Sequence, residues 1–148
     1  DKVFISSGYN RGGTLLEVAL SGPKKVWENK NMRCHFGTCV LVDEVLYGID
    51  GNTGKGSLKC VRFSTGEVVW EQKLGFGALT LAGGKLIVLN ERGQLFIAEA
   101  VPDGYREIAQ CLALPSEGAK CWTAPVLCNG RIYCRNSRGD MVVIDVSR

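Results

Sequence analysis

The densest gathering of chemically capable side chains in this sequence is Cys34, His35 and Cys39, a C-H-x3-C cluster able in principle to offer three ligands to a metal ion. No fourth ligand stands beside it. An extended segment would also point Cys34 and Cys39 to opposite faces, so no metal is expected and the cysteines read as small buried hydrophobes. His35 is the only histidine, and no serine or aspartate is spaced to make it a general base, so it reads as a hydrogen-bonded structural residue and no catalytic residue is assigned. The glycine-rich GNTGKGS at 51–57 has the look of a phosphate loop, but Lys55 precedes Gly56 and the Gly-Lys-Ser/Thr order is missing. It reads as a wide turn, as does GYNRGGT at 8–14.

Composition narrows the classes further. The chain has 148 residues, is 45% hydrophobic and 22% charged, and carries a formal charge of +3, values of an ordinary folded domain. Its Lys and Arg are interspersed with acids instead of forming a block, so nucleic acid is not an expected partner. No apolar run approaches the roughly 20 residues that span a bilayer, and the N-terminal segment lacks the pattern of a signal peptide. Direct membrane insertion is therefore not expected. Seven cysteines cannot all pair within the chain, and no C-x-x-C occurs to suggest a redox motif or a zinc ribbon.

The elements that must position these residues repeat along the chain. FGTCVLVDEVLYGIDG from Phe36, FGALTLAGGKLIVLNERG from Phe76 and WTAPVLCNGRIYCRNSRG from Trp122 share one plan: an aromatic, small residues, an apolar run, a turn and a second apolar run. The turns fall at Asp43-Glu44, Gly83-Gly84 and Asn129-Gly130, which is a β-hairpin signature. Leu46, Leu86 and Ile132 keep the same offsets as the aromatics, so the repeat covers both strands. A third strand follows each hairpin after a glycine. A fourth follows Ser64-Thr65-Gly66 and Pro102-Asp103-Gly104.

Four-strand units at this period predict an all-β β-propeller, here a partial ring of about four antiparallel blades. The repeats run approximately 2–33, 36–75, 76–114 and 122–148 within one domain over 1–148, the first lacking its innermost strand and the last its outermost. Runs such as KLIVL and MVVIDV are expected to be covered on both faces by neighbouring blades. No segment sustains a capped helical period, and neither Gly-His nor Trp-Asp dipeptides mark WD-type repeats.

The segment LKCVRFSTGEVVWE resembles the pyrroloquinoline-quinone-like (PQQ-like) propeller repeats. Thr65, Gly66, Glu67 and Trp70 match that family's tryptophan-docking motif, while Cys60 and Arg62 replace its Ala and Asp. In the third repeat Ala98 and Gly104 match, with Ile108 at the Trp position. Trp27, Thr65, Gly66 and Trp70 are thus expected to dock blades on one another, because a tryptophan recurring once per repeat buries a large surface.

Loops entering the innermost strands converge at the mouth of such a ring, and here they carry Arg33, His35, Phe36, Phe76, Lys120 and Trp122. Two readings stand: a cationic, aromatic-lined mouth for a planar or anionic ligand, or aromatics wedged between blades with the cations facing water. The second is the plainer. The resemblance implies a non-catalytic scaffold binding a protein or small ligand in an exported bacterial protein, in the periplasm or outside the cell. Its alternatives are part of a PQQ-dependent alcohol dehydrogenase, for which alone PQQ and calcium would be needed, or a relative of the outer-membrane assembly lipoproteins. A partial ring leaves apolar blade faces in water. The chain is therefore expected to be the C-terminal half of a larger propeller, partnered by the remaining blades or by a second copy of itself.

Overall fold

The computed structural model describes residues 1–115 and 118–147; Arg148, the last residue of the fourth sequence repeat, lies outside them. The described strands form four separate antiparallel sheets that succeed one another along the chain. The first sheet is β1 (Lys2–Ser7), β2 (Gly12–Ala19) and β3 (Gly22–Asn29), in that order. The second is β4 (Val40–Val42), β5 (Val45–Asn52), β6 (Lys55–Arg62) and β7 (Val68–Gln72). The third is β8 (Gly77–Ala82), β9 (Lys85–Asn90), β10 (Gln94–Glu99) and β11 (Glu107–Leu112). The fourth is β12 (Val126–Cys128), β13 (Arg131–Arg135) and β14 (Met141–Asp145). Among the described residues no helix is long and apolar enough to cross a membrane.

Each sheet is a meander because every turn is short. Asp43 and Asn129 take positive φ of 50° and 47°, the left-handed geometry that tight hairpins demand. The sheets bury their faces against each other. Tyr47, Ile49 and Leu58 of the second sheet meet Leu79, Val88 and Phe96 of the third. Leu89 and Leu95 of the third meet Ile132 and Cys134 of the fourth. Leu46 and Val61 pack with Met32, Cys34 and Phe4 at the first junction. β5 and β9 are accordingly covered on both faces, as their unbroken apolar runs predict. β14 is not: Val142 and Ile144 pack inward, whereas Met141 and Val143 are 63% and 47% exposed, because no described sheet covers the outer face.

The outer strands are held by tryptophans. Trp27 Nε1 donates to the Phe63 carbonyl at 2.9 Å, and Trp70 Nε1 donates to the Val101 carbonyl at 3.1 Å. Each bond crosses from one sheet to the turn before the next sheet's outer strand. The turn that receives Trp27 is braced from within, since Gly66 N donates to the Arg62 carbonyl at 2.8 Å and Glu67 N donates to Thr65 Oγ1 at 3.3 Å. Gly66 is required there: φ is +75° and an added Cβ would lie 2.7 Å from Trp27 Cε3.

The register corrects one expectation. Trp27 pairs with Leu15 and Trp70 with Cys60, each beside a β-bulge. In the third sheet the bulge falls at the same place, and Ala109 pairs with Ile97. Ala109 therefore holds the tryptophan position, and Ile108 corresponds to the bulged Val26 and Val69. Counted between paired residues, the connection from Ile97 to Ala109 is two residues longer than that from Cys60 to Trp70, one of them after Gly104, so the tryptophan position moves past Ile108. The innermost strands are also shorter than the apolar runs suggest: β4 starts at Val40 and β12 at Val126, because the chain bends at 35–37 and Pro125 has no N–H to pair.

Candidate functional site

In an antiparallel four-strand sheet, the loop entering the first strand and the turn joining the second to the third lie at the same end. Backbone bonds join the two sets here. Gly51 N donates to the Arg33 carbonyl at 3.3 Å, Cys121 N to the Glu91 carbonyl at 3.2 Å and Ser137 N to the Lys120 carbonyl at 2.9 Å. All six residues expected at a ligand mouth sit at this end, but they fall into two groups.

Arg33 and Lys120 are tethered cations. Arg33 donates to Asp50 through Nε at 2.9 Å, Nη2 at 2.7 Å and its backbone N at 2.7 Å. Lys59 Nζ reaches the same carboxylate at 2.7 Å. Burial of Asp50 would raise its pKa, but the bonds from Arg33 and Lys59 together outweigh that and hold the carboxyl below its ordinary 3.8. Asp50 in turn raises the Arg33 pKa. Lys120 Nζ lies 3.5 Å from Glu91 Oε2, and Glu91 Oε1 accepts from Gly54 N at 2.6 Å. Glu91 thus links the second, third and fourth sheets.

The aromatics form a continuous run. His35 stacks on Phe36 with ring centroids 3.9 Å apart, and Tyr9 meets His35 edge-on at 4.5 Å. Phe36 continues to Trp122 at 5.1 Å and meets Phe76 edge-on at 6.2 Å. Phe76 is buried as a wedge, whereas Tyr9, Phe36 and Trp122 are 76%, 53% and 38% exposed. His35 Nδ1 is buried without a hydrogen-bond partner among the described residues. Beside Trp122, a recess of about 500 Å³ is lined by Lys120, Arg135 and Arg138 together with Asn136. Cationic side chains beside an indole suit an anion with a planar group, and Lys120 among them is already shared with Glu91.

The cysteine pair corrects a second expectation. Cys34 and Cys39 do not point apart, because residues 33–39 form no strand and the bend at 35–37 folds them together. Their sulfurs are 3.0 Å apart. Among the described residues no three His, Cys, Asp or Glu side chains gather as a metal site. Sequence reasoning missed Tyr9, Asp50 and Glu91. Tyr9 belongs to the wide turn of GYNRGGT, and Asp50 is signalled only as an acid ending the apolar run of β5.

No protein-family model matches the chain, and no curated protein matches it. Solved structures do. BamB from Moraxella catarrhalis superposes on 92% of this chain with a TM-score of 0.68 at 12% identity. A Lactobacillus plantarum protein superposes on 97% with a TM-score of 0.67 at 13% identity. A quinohemoprotein alcohol dehydrogenase from Pseudomonas putida superposes on 74% with a TM-score of 0.57 at 16% identity. The fold is that of a partial β-propeller. The chain spans 41%, 53% and 19% of those three proteins' own lengths.

The blades so defined permit a test of the quinone and calcium that the sequence resemblance implies for an enzyme. A calcium-held quinone needs carboxylate and amide oxygens turned outward to the ion. At this end Asp50 is committed to Arg33 and Lys59, and Glu91 to Gly54 and Lys120. Asn136 spends its side chain on the turn below it, accepting from Arg138 N at 3.0 Å and donating to Asp140 at 2.8 Å. The residues present do not fit the group.

Proposed function

We propose that the chain is a non-catalytic propeller scaffold that holds an anionic partner, a protein segment or small molecule bearing a planar group, at its aromatic, cation-rich end. The observation that carries this reading is the run Tyr9–His35–Phe36–Trp122, which crosses three blades and leaves three of its rings open to solvent. Rings presented in a row give a large contact area at little entropic cost. Arg135 adds positive charge at the recess beside Trp122, where Lys120 is already shared with Glu91.

On the same reading the chain works in the periplasm or outside the cell, as the resemblance to PQQ-like repeats implies. Its outward blade faces meet further blades or a second copy. The likeness to BamB extends along most of the chain and supports the propeller fold on which this reading rests.

Calorimetric titration separates this from the dehydrogenase reading. A peptide with tyrosine flanked by glutamates is expected to bind, to weaken as salt rises, and to lose at least tenfold in affinity in Trp122→Ala. PQQ binding that requires calcium, with reduction of a coupled dye, would overturn it. So would failure of every anionic aromatic probe.

A further inference from the structure

At the junction of the first two blades, three sulfurs converge over one glycine. An added Cβ on Gly48 of β5 would lie 2.7 Å from Cys39 Sγ, 2.9 Å from Met32 Sδ and 3.2 Å from Cys34 Sγ. The approach is held from several sides. Ser6 Oγ donates to the Met32 carbonyl at 2.7 Å and accepts from Cys34 N at 2.9 Å, which straps the connection onto β1. Cys39 is fixed by β4, which begins one residue later. Both thiols are free, and both line a cavity of about 380 Å³ that Phe4, Leu46 and Phe63 also wall.

We propose that Cys34 and Cys39 are a dithiol that forms an intrachain disulfide by exchange with a small-molecule disulfide. Their sulfurs need close by only about 1 Å to reach the covalent separation, while the cavity admits a reagent to a pair otherwise buried. In the reaction one sulfur, as thiolate, attacks the reagent disulfide and releases one reagent thiol. The second sulfur then displaces the other half, so two protein thiols and one reagent disulfide become one protein disulfide and two reagent thiols. The hydrogen bond from Cys39 lowers the Cys34 pKa against its burial, which favours the thiolate there. The remaining buried thiols, Cys60, Cys121 and Cys134, have their pKa raised by burial and stay reduced.

The test uses the full chain carrying Cys111→Ser and Cys128→Ser, which removes the two exposed thiols. The protein is equilibrated in glutathione buffers of graded ratio, blocked with N-ethylmaleimide while unfolding, and peptide-mapped by mass spectrometry. A cross-link between residues 34 and 39, two hydrogens lighter than the dithiol, is expected, and dithiothreitol should reverse it. Cys39→Ser should abolish the cross-link without changing the far-ultraviolet circular dichroism. Maleimide on both Cys34 and Cys39 at every ratio would overturn the proposal, as would glutathione adducts without an internal bond. The parental map decides the matter even if the serine variant misfolds, and neither outcome depends on whether the aromatic end binds a ligand.

Discussion

A carboxylate at the end of an apolar strand survives burial only if its charge is met, and Asp50 is met twice. Only 4% of Asp50 is exposed, and Arg33 and Lys59 both close on it within 2.7 Å. Removing the acid leaves the largely buried Lys59 ammonium with only the Asn31 carbonyl at 3.2 Å and the more distant Glu71 carboxylate at 3.9 Å. Asp50→Ala should therefore cost about 3–5 kcal/mol in urea denaturation, whereas Arg33→Ala, which leaves Lys59 in place, should cost less. The pH dependence follows from the sign of the shift. The folded carboxyl titrates below its ordinary 3.8, so its stabilisation is complete above that value and is lost as pH falls through the folded value. An acid titration of stability should drop below about pH 4, and Asp50→Asn should flatten the drop. Sequence order made the entering loops visible as a set, and with them Arg33, Phe36, Phe76, Lys120 and Trp122. It hid their acidic partners, because Asp50 stands 17 residues from Arg33 and Glu91 stands 29 from Lys120, distances that only the folded blades close.

At the scale of elements, the blades are joined by buried apolar faces, and tryptophans tie the first two junctions. Trp70 gives its indole N–H to Val101 and sits between Tyr47, tilted at 5.8 Å, and Tyr105, edge-on at 6.2 Å. Trp70→Ala should cost about 3 kcal/mol, read as a lower denaturation midpoint. Ile108→Ala should cost under about 1 kcal/mol, since that side chain is half exposed at a bulge. Equal losses at the two positions would deny the tryptophans their docking role. The hairpins, the blade period and the docking turns were legible because each rests on local chemistry, a turn residue or an alternation of side chains. The bulges were not. A bulge inserts one residue without changing composition, so Ile108 and Ala109 exchange roles with no trace in the pattern. The pairing of Cys34 with Cys39 was hidden likewise, since the expectation assumed a strand where the chain bends.

Over the whole molecule, the two end blades carry apolar rows with nothing against them among the described residues. On the fourth blade Val126 lies across from Tyr133, and Tyr133 from Val143, so these side chains share the outward face. On the first blade Val3 lies across from Leu16, with Ile5 two residues along the same face. Phe4 and Ser6 alternate with them and point inward to the second blade. Inner blades in this chain show what such faces do when covered: the rows on β5 and β9 are buried completely. Two half-arcs of the same chain, or one arc and further blades, would cover them in the same way, with apolar area as the driving term. Light scattering of the chain at micromolar concentration should therefore give a mass above that of one copy. The double substitution Val126→Lys and Val143→Glu, on the outward row alone, should return the mass to one copy while leaving the far-ultraviolet circular dichroism intact. If the unsubstituted chain is already a stable single copy at that concentration, the rows are tolerated in water and the blades need no partner to cover them.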